Sequence, residues 1–436
     1  MTINKQILQL AVPSILANIT IPLVGIVDTA IVGHLSDASA IGGIAIGTML
    51  FDLLYWNFGF LRVGTSGLAA QAYGADQTDE CRKILMQSLS IAGMGAMFVW
   101  AIQWLFVTAV LAVISCDPEV AEIARQYFFV RIWAAPATLS LFTLKGWFIG
   151  MQDTKSPMAV DILVNVVNMG ASYALAVYTP LGIVGVAWGT LIAQYSGLVL
   201  AAGILAFRYR NYWRWDLRAW KAAIRWSEMR RMMHLNGNLF IRSLCFMVVY
   251  VGFTSLAGTY GKTELAVSSV LMKLFMFFSY FVDGFAYAGE ALVGKAFGES
   301  KVESQKSKEL SGVVRSLFIW SIGVGVVFTL IYALWGKECI GLMTDDAAVL
   351  EAVKPYMAWL IAMPIVSALA FMWDGVYVGA TAGVPIRNAM IWAAIGFVVL
   401  YVATFRFVGA QALYIAYFAH LIARVVYLTI KWKWIK

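Results

Sequence analysis

Twelve long, mostly apolar stretches follow one another along this chain, and that regularity restricts its fold more than any motif it carries. About twenty residues of helix are needed to cross a hydrocarbon core of roughly 30 Å. The stretches cover residues 7–33, 40–73, 84–115, 120–150, 157–179 and 183–207, then 235–259, 264–297, 310–335, 349–379, 385–407 and 409–430. With no water in a bilayer to satisfy the backbone, only helices or a closed barrel can span it. A barrel strand alternates polar and apolar residues over about ten positions, and these runs do not alternate. The expected fold is an all-α polytopic membrane protein with twelve transmembrane helices. Composition agrees: of 436 residues, 61% are hydrophobic and 13% charged, against about 45–50% and about 25% in soluble chains. An ordinary soluble enzyme, a disordered chain and a singly anchored domain are excluded.

The formal charge of +8 lies mostly between the apolar runs. Basic residues concentrate around Asp76–Lys83, in Arg208–Arg231, in Glu299–Lys308 and in the tail Arg424–Lys436, whereas Thr179–Leu181 and Thr259–Lys262 hold few. The positive-inside rule then puts both termini in the cytoplasm of a plasma (inner) membrane protein. Residues 208–233 form a linker whose basic residues alternate with Trp213, Trp215, Trp220 and Trp226. Such a segment suits the anionic face of a bilayer, with indoles at headgroup level, better than nucleic acid, so lipid is an expected partner and nucleic acid is not. The first run passes through Val27-Asp28-Thr29 with no cleavable signal pattern. Cys81, Cys116, Cys245 and Cys339 lack metal-ligand spacing and read as packing residues; no metal site and no cofactor are expected.

The two halves resemble each other. Gly59–Gly74 echoes Asp283–Gly298, and Gly146-Trp147-Phe148-Ile149-Gly150 with Pro157 echoes Gly375-Val376-Tyr377-Val378-Gly379 with Pro385. Tyr127 and Pro136 likewise echo Tyr356 and Pro364. Six spans per half is an even number, so the halves are parallel repeats about an axis along the membrane normal. The expected organisation is an N-terminal six-helix lobe (1–207), the linker (208–233) and a C-terminal six-helix lobe (234–436). Two such bundles form a common frame for alternating access, which points to transport.

An ionisable side chain within a span costs about 2.5–3.5 kcal/mol and marks a functional site by default. Asp28 stands out, with no lysine or arginine within two helical turns, while its counterpart in the second half is Phe253. In the fifth span Asp161, Asn165, Asn168 and Ser172, spaced four, three and four apart, share one helical face. That stripe lines a wet cavity or joins helices, and Thr190 of the sixth span is a further polar candidate. Arg62, Lys145, Asp283, Glu290, Lys295 and Asp374 suggest structural ion pairs. Of these, Lys145, Asp283, Glu290 and Asp374 are secondary site candidates, and Lys145 and Asp374 occupy near-equivalent positions from which they could face each other across the lobe boundary.

Together these features resemble the multidrug and toxic compound extrusion (MATE) transporters, and most of all their DinF branch. The similar stretches are Val27-Asp28-Thr29 with Gly33-His34-Leu35, Phe60-Leu61-Arg62-Val63-Gly64-Thr65-Ser66-Gly67-Leu68, Val282–Gly294, and Asp374-Gly375 with Gly379-Ala380-Thr381 and Arg387-Asn388. The resemblance covers essentially the whole chain. It implies a V-shaped pair of bundles, working as a monomer, that exports cationic or amphipathic small molecules in exchange for protons or sodium. It also implies that Asp28 is the coupling carboxylate, with Asn168 and Thr190 beside it. The family commonly has an aspartate where this chain has Ser172, and its sodium-linked branch has a seventh-span glutamate where this chain offers Arg242. Both departures favour protons. A lipid or lipid-linked-precursor flippase would want several cationic cavity residues. A membrane-embedded prenyltransferase would need more carboxylates than Asp76 and Asp79, and His34, His234 and His420 lie too far apart in sequence to suggest a hydrolase metal site. The chain is therefore expected to be no enzyme.

Overall fold

Each apolar stretch becomes a helix in the computed structural model, which describes residues 2–35, 38–114, 117–212, 216–302 and 307–433. Among the described residues, twelve helices are long and apolar enough to cross a membrane: Ile3–Asp28, Ser39–Gly74, Thr78–Val113, Pro118–Gly150, Lys155–Tyr178 and Ile183–Arg208, then Trp226–Thr259, Lys262–Val302, Glu309–Gly341, Lys354–Gly379, Gly383–Val408 and Gln411–Trp432. No strand occurs among the described residues. The second and fourth spans each tighten through one 3₁₀ turn, at Asn57–Gly59 and at Ile132–Ala134, the latter just before Pro136, which cannot donate a backbone hydrogen bond. Side chains such as Val199, Phe207 and Phe407 are largely exposed. In a membrane that surface meets lipid.

The chain packs as two units: Leu16–Met233, and Met1–Ile15 together with His234–Lys436. The first fifteen residues, which the sequence division places with the first half, thus belong with the second unit. Their attachment is specific. A Cβ on Gly284 would lie 2.4 Å from Ile15 Cγ1 and 2.9 Å from the Ala11 carbonyl oxygen, so only glycine admits the first helix there. Trp320 also donates its indole N–H to Asn4 Oδ1 at 3.2 Å.

The internal repeat has a packing cause. In the unit Leu16–Met233, a Cβ on Gly146 would fall 2.3 Å from the Arg62 carbonyl oxygen, and one on Gly150 2.7 Å from that of Ser66. In the other unit, a Cβ on Gly375 would fall 2.5 Å from the Ala286 carbonyl oxygen and one on Gly379 2.8 Å from that of Glu290. The echoed segments are therefore the same backbone-to-backbone crossing, made twice. Helices in lipid gain little from hydrophobicity when they associate, so close approach through small residues must hold them.

The seventh helix begins at Trp226 rather than near 235, so the later part of the linker is helical. A short helix, Leu217–Ala223, precedes it, with Asp216 accepting from the Arg218 backbone N–H at 2.9 Å as its cap. This region is tied to the third span. Trp220 donates to Ser90 Oγ at 2.9 Å, and Gln87 donates to the Ala223 carbonyl at 3.0 Å. Trp226 is exposed, and Trp213, Arg214 and Trp215 lie outside the described residues, as do Cys116 and the side chain of His34. Just past the sixth span, Tyr209 donates to Asp153 Oδ2 at 2.8 Å; burial, and then the Asp153 carboxylate, push its hydroxyl well above the usual tyrosine range.

Candidate functional site

The unit Leu16–Met233 encloses a cavity of about 540 Å³ onto which Asp28, Asp52, Arg131, Asn165, Asn168 and Thr190 converge. They come from the first, second, fourth, fifth and sixth spans. The fifth span supplies the polar floor. Its 3.6-residue period carries Asn165 and Asn168 round to the same side. Asn168 is buried and donates Nδ2 to Thr190 Oγ1 at 2.9 Å, and the Thr190 hydroxyl in turn donates to the Val186 carbonyl at 3.2 Å. Asn165 donates Nδ2 to Thr20 Oγ1 at 2.5 Å, which ties the fifth span to the first.

Asp28 is half-buried, and its buried Oδ1 has no hydrogen-bond partner among the described residues; the same is true of the buried Asn168 Oδ1. Two acceptors are thus left open in the same cavity. Asp52 is exposed and Arg131 half-buried. The Arg131 guanidinium donates Nη1 to the Tyr127 hydroxyl at 2.9 Å and lies over the Phe51 ring, 4.6 Å from its centroid. It makes no ion pair within 4.0 Å to Asp28 or Asp52 among the described residues.

The other stripe members have different work. Asp161 is engaged by the Lys145 ammonium at 2.5 Å and does not line the cavity. Ser172 is fully buried, donates to the Val186 carbonyl at 3.4 Å, and abuts Gly189, where a Cβ would fall 2.4 Å from its Oγ. Four residues on one face of a helix therefore split into a cavity pair, an ion pair and a packing contact, because that face meets different neighbours along its length.

Lys145 and Asp374 each find partners within their own unit. Asp374 Oδ2 accepts from Arg242 at 2.6 Å and from Arg424 at 2.5 Å. Arg424, counted above with the basic tail, is thus a buried member of the last span, 1% exposed and drawn inward by that carboxylate. Asp283 and Glu290, on the eighth span, do not line the cavity either. Asp52 and Arg131 are the functional candidates that the sequence reading passed over. Both lie inside apolar runs, so the insertion-cost argument that singles out Asp28 applies to them as well. Asp52 thus adds a second carboxylate to the cavity beside Asp28. At the equivalent positions of the second half stand Phe253, Met276 and Leu360, all packed in or against an apolar core. The three charges of this cavity therefore have no charged counterparts at those equivalent positions.

The comparisons with known proteins agree with the architecture. The MatE family model matches residues 13–174 and 239–405. DNA damage-inducible protein F of Escherichia coli (strain K12) is 32% identical over 405 residues, which span 90% of this chain and 84% of that protein. A probable multidrug resistance protein NorM of Rhizobium meliloti (strain 1021) is 25% identical over 415 residues, 91% of this chain and 86% of that protein. In fold, the crystal structure of MATE in complex with MaL6 matches with a TM-score of 0.88 at 17% sequence identity, covering 100% of this chain and 97% of that one.

Proposed function

This chain belongs to the MatE family, whose members are multi-pass membrane transporters and not enzymes, and we propose that it is a secondary active efflux antiporter exporting cationic or amphipathic small molecules in exchange for protons. The observation that carries the reading is the open Oδ1 of Asp28 inside a cavity large enough for a drug-sized molecule. An ionised Asp28 attracts a cation. A protonated Asp28 is neutral and can donate one hydrogen bond, for which the open Asn168 Oδ1 is an acceptor in the same cavity. Cation and proton therefore compete for one group, which is the requirement for exchange. Switching between those states biases a two-state equilibrium when the two conformations bind the two forms unequally. Pro13 and Pro22 remove backbone donors from the first helix, which gives it a place to bend. In this reading the protein is a monomer of the plasma (inner) membrane with both termini in the cytoplasm.

The test is drug-dependent proton release by the purified protein in sealed vesicles. Addition of a cationic amphiphile is expected to release protons from the wild type and not from Asp28→Asn. Release that is equal in both would sink the assignment. One observation supports a second reading, sodium coupling: Asp52 adds a second carboxylate to the cavity, and sodium prefers several hard oxygens, which Asp28, Asp52 and the asparagine carbonyls together would supply.

A further inference from the structure

Three ionisable side chains line the cavity, and they do not neutralise one another by contact: Asp28, Asp52 and Arg131. An arginine that served only as counter-ion would be expected to close onto a carboxylate, since bidentate pairing is its strongest interaction. Arg131 is instead held by uncharged neighbours, the Tyr127 hydroxyl at 2.9 Å and the Phe51 ring at 4.6 Å. Both are nearly fully buried, at 1% exposure, and Phe51 stacks on Phe128 with centroids 4.9 Å apart, so the support is rigid. One Tyr127 contact uses one of five guanidinium N–H donors. Among the described residues Tyr127 is the one hydrogen-bond partner of Arg131, and the Arg131 side chain lines the cavity.

From this charge-separated arrangement we infer that the cavity recognises a zwitterionic amphiphile, with its ammonium group at Asp28 and Asp52 and its carboxylate or other anionic group at Arg131. The inference rests on the efflux reading for its meaning, but it concerns recognition alone. Its logic is that a buried anion needs a charged donor, and among the described residues Arg131 is the one cation lining the cavity. A purely cationic ligand leaves Arg131 without an anionic partner. A zwitterion matches both signs, and its ammonium still competes with the proton for Asp28.

The test uses a matched pair of fluorescent probes, a rhodamine-type dye with a free carboxylate and the ethyl ester of the same dye. Both are titrated against the purified full-length protein in lipid nanodiscs. Arg131→Gln is expected to lower the ratio of carboxylate-dye to ester affinity by about tenfold or more, the usual weight of a charge-assisted contact. Arg131→Lys, which keeps the charge, is expected to retain most of the ratio. Should Arg131→Gln fail to fold, Tyr127→Phe removes the hydroxyl that holds the guanidinium and is expected to lower the ratio in the same direction. A ratio unchanged in Arg131→Gln, or unchanged in Tyr127→Phe where that variant must stand in, overturns the inference. Failure of the antiport reading is seen separately, as absence of proton release with either dye in vesicles.

Discussion

Asn168 donates to Thr190 at 2.9 Å and so fixes its own amide with the carbonyl Oδ1 left open in the cavity that Asp28 shares. The contact sets orientation: an amide held by its NH₂ end presents an acceptor. An acceptor can receive a hydrogen bond from a protonated carboxyl but not from an ionised one. The Asn168–Thr190 pair therefore gives the cavity a means of responding to the charge state of Asp28.

Substrate affinity for a cationic probe should rise with pH. The ionised carboxylate attracts the cation and the protonated one does not, so affinity is gained as pH climbs through the titration of Asp28 and lost as it falls. Asp28→Asn should flatten that profile and abolish efflux while leaving expression near wild type. Binding curves measured across pH check both; a profile that keeps its slope in the variant would move the coupling group to Asp52.

An imposed pH gradient without sodium should drive efflux in vesicles. Two carboxylates and one guanidinium leave the cavity one negative charge in excess, which a proton can neutralise. Efflux that requires sodium and ignores the pH gradient would favour the reading with two carboxylates as ion ligands.

Asp374→Ala should destabilise the protein more than Arg242→Ala. The first leaves two partly or wholly buried guanidiniums without their shared carboxylate, whereas the second leaves Arg424 in place. Removing one partner of a buried pair costs about 3–5 kcal/mol. Thermal denaturation followed in detergent should rank the two variants in that order.

Gly146→Ala should lower stability by about 1–3 kcal/mol, the range for forcing an extra methyl group into a packed site. Its Cβ would meet a backbone oxygen, Arg62 O, at 2.3 Å, and backbone within a helix cannot step aside. Gly170→Ala is the control. A Cβ there would meet nothing within 4 Å beyond its own helix among the described residues, so the change should be neutral or mildly stabilising through helix propensity.

Expression and melting measurements on the two glycine variants also bear on how legible this protein is from its sequence. The twelve spans, the internal repeat and the Asp28 candidate are all readable along the chain, because hydrophobic length, self-similarity and a lone carboxylate are one-dimensional signals. The membrane makes them strong, since a span must be apolar for its full length and an exception is expensive. Helical periodicity likewise placed Asp161, Asn165, Asn168 and Ser172 on one face. What it could not say is which neighbour each of them meets. Only the packed helices assign Asp161 to Lys145, Ser172 to Gly189, and Asn165 and Asn168 to the cavity. The same holds for Asp52 and Arg131, separated in sequence from Asp28 and from each other, and for the inward turn of Arg424 to Asp374. Partners on different helices are chosen by the rotation and offset at which those helices pack. Those are set by glycines such as Gly146 and Gly375 meeting a facing backbone, a relation between two distant segments that neither segment specifies alone.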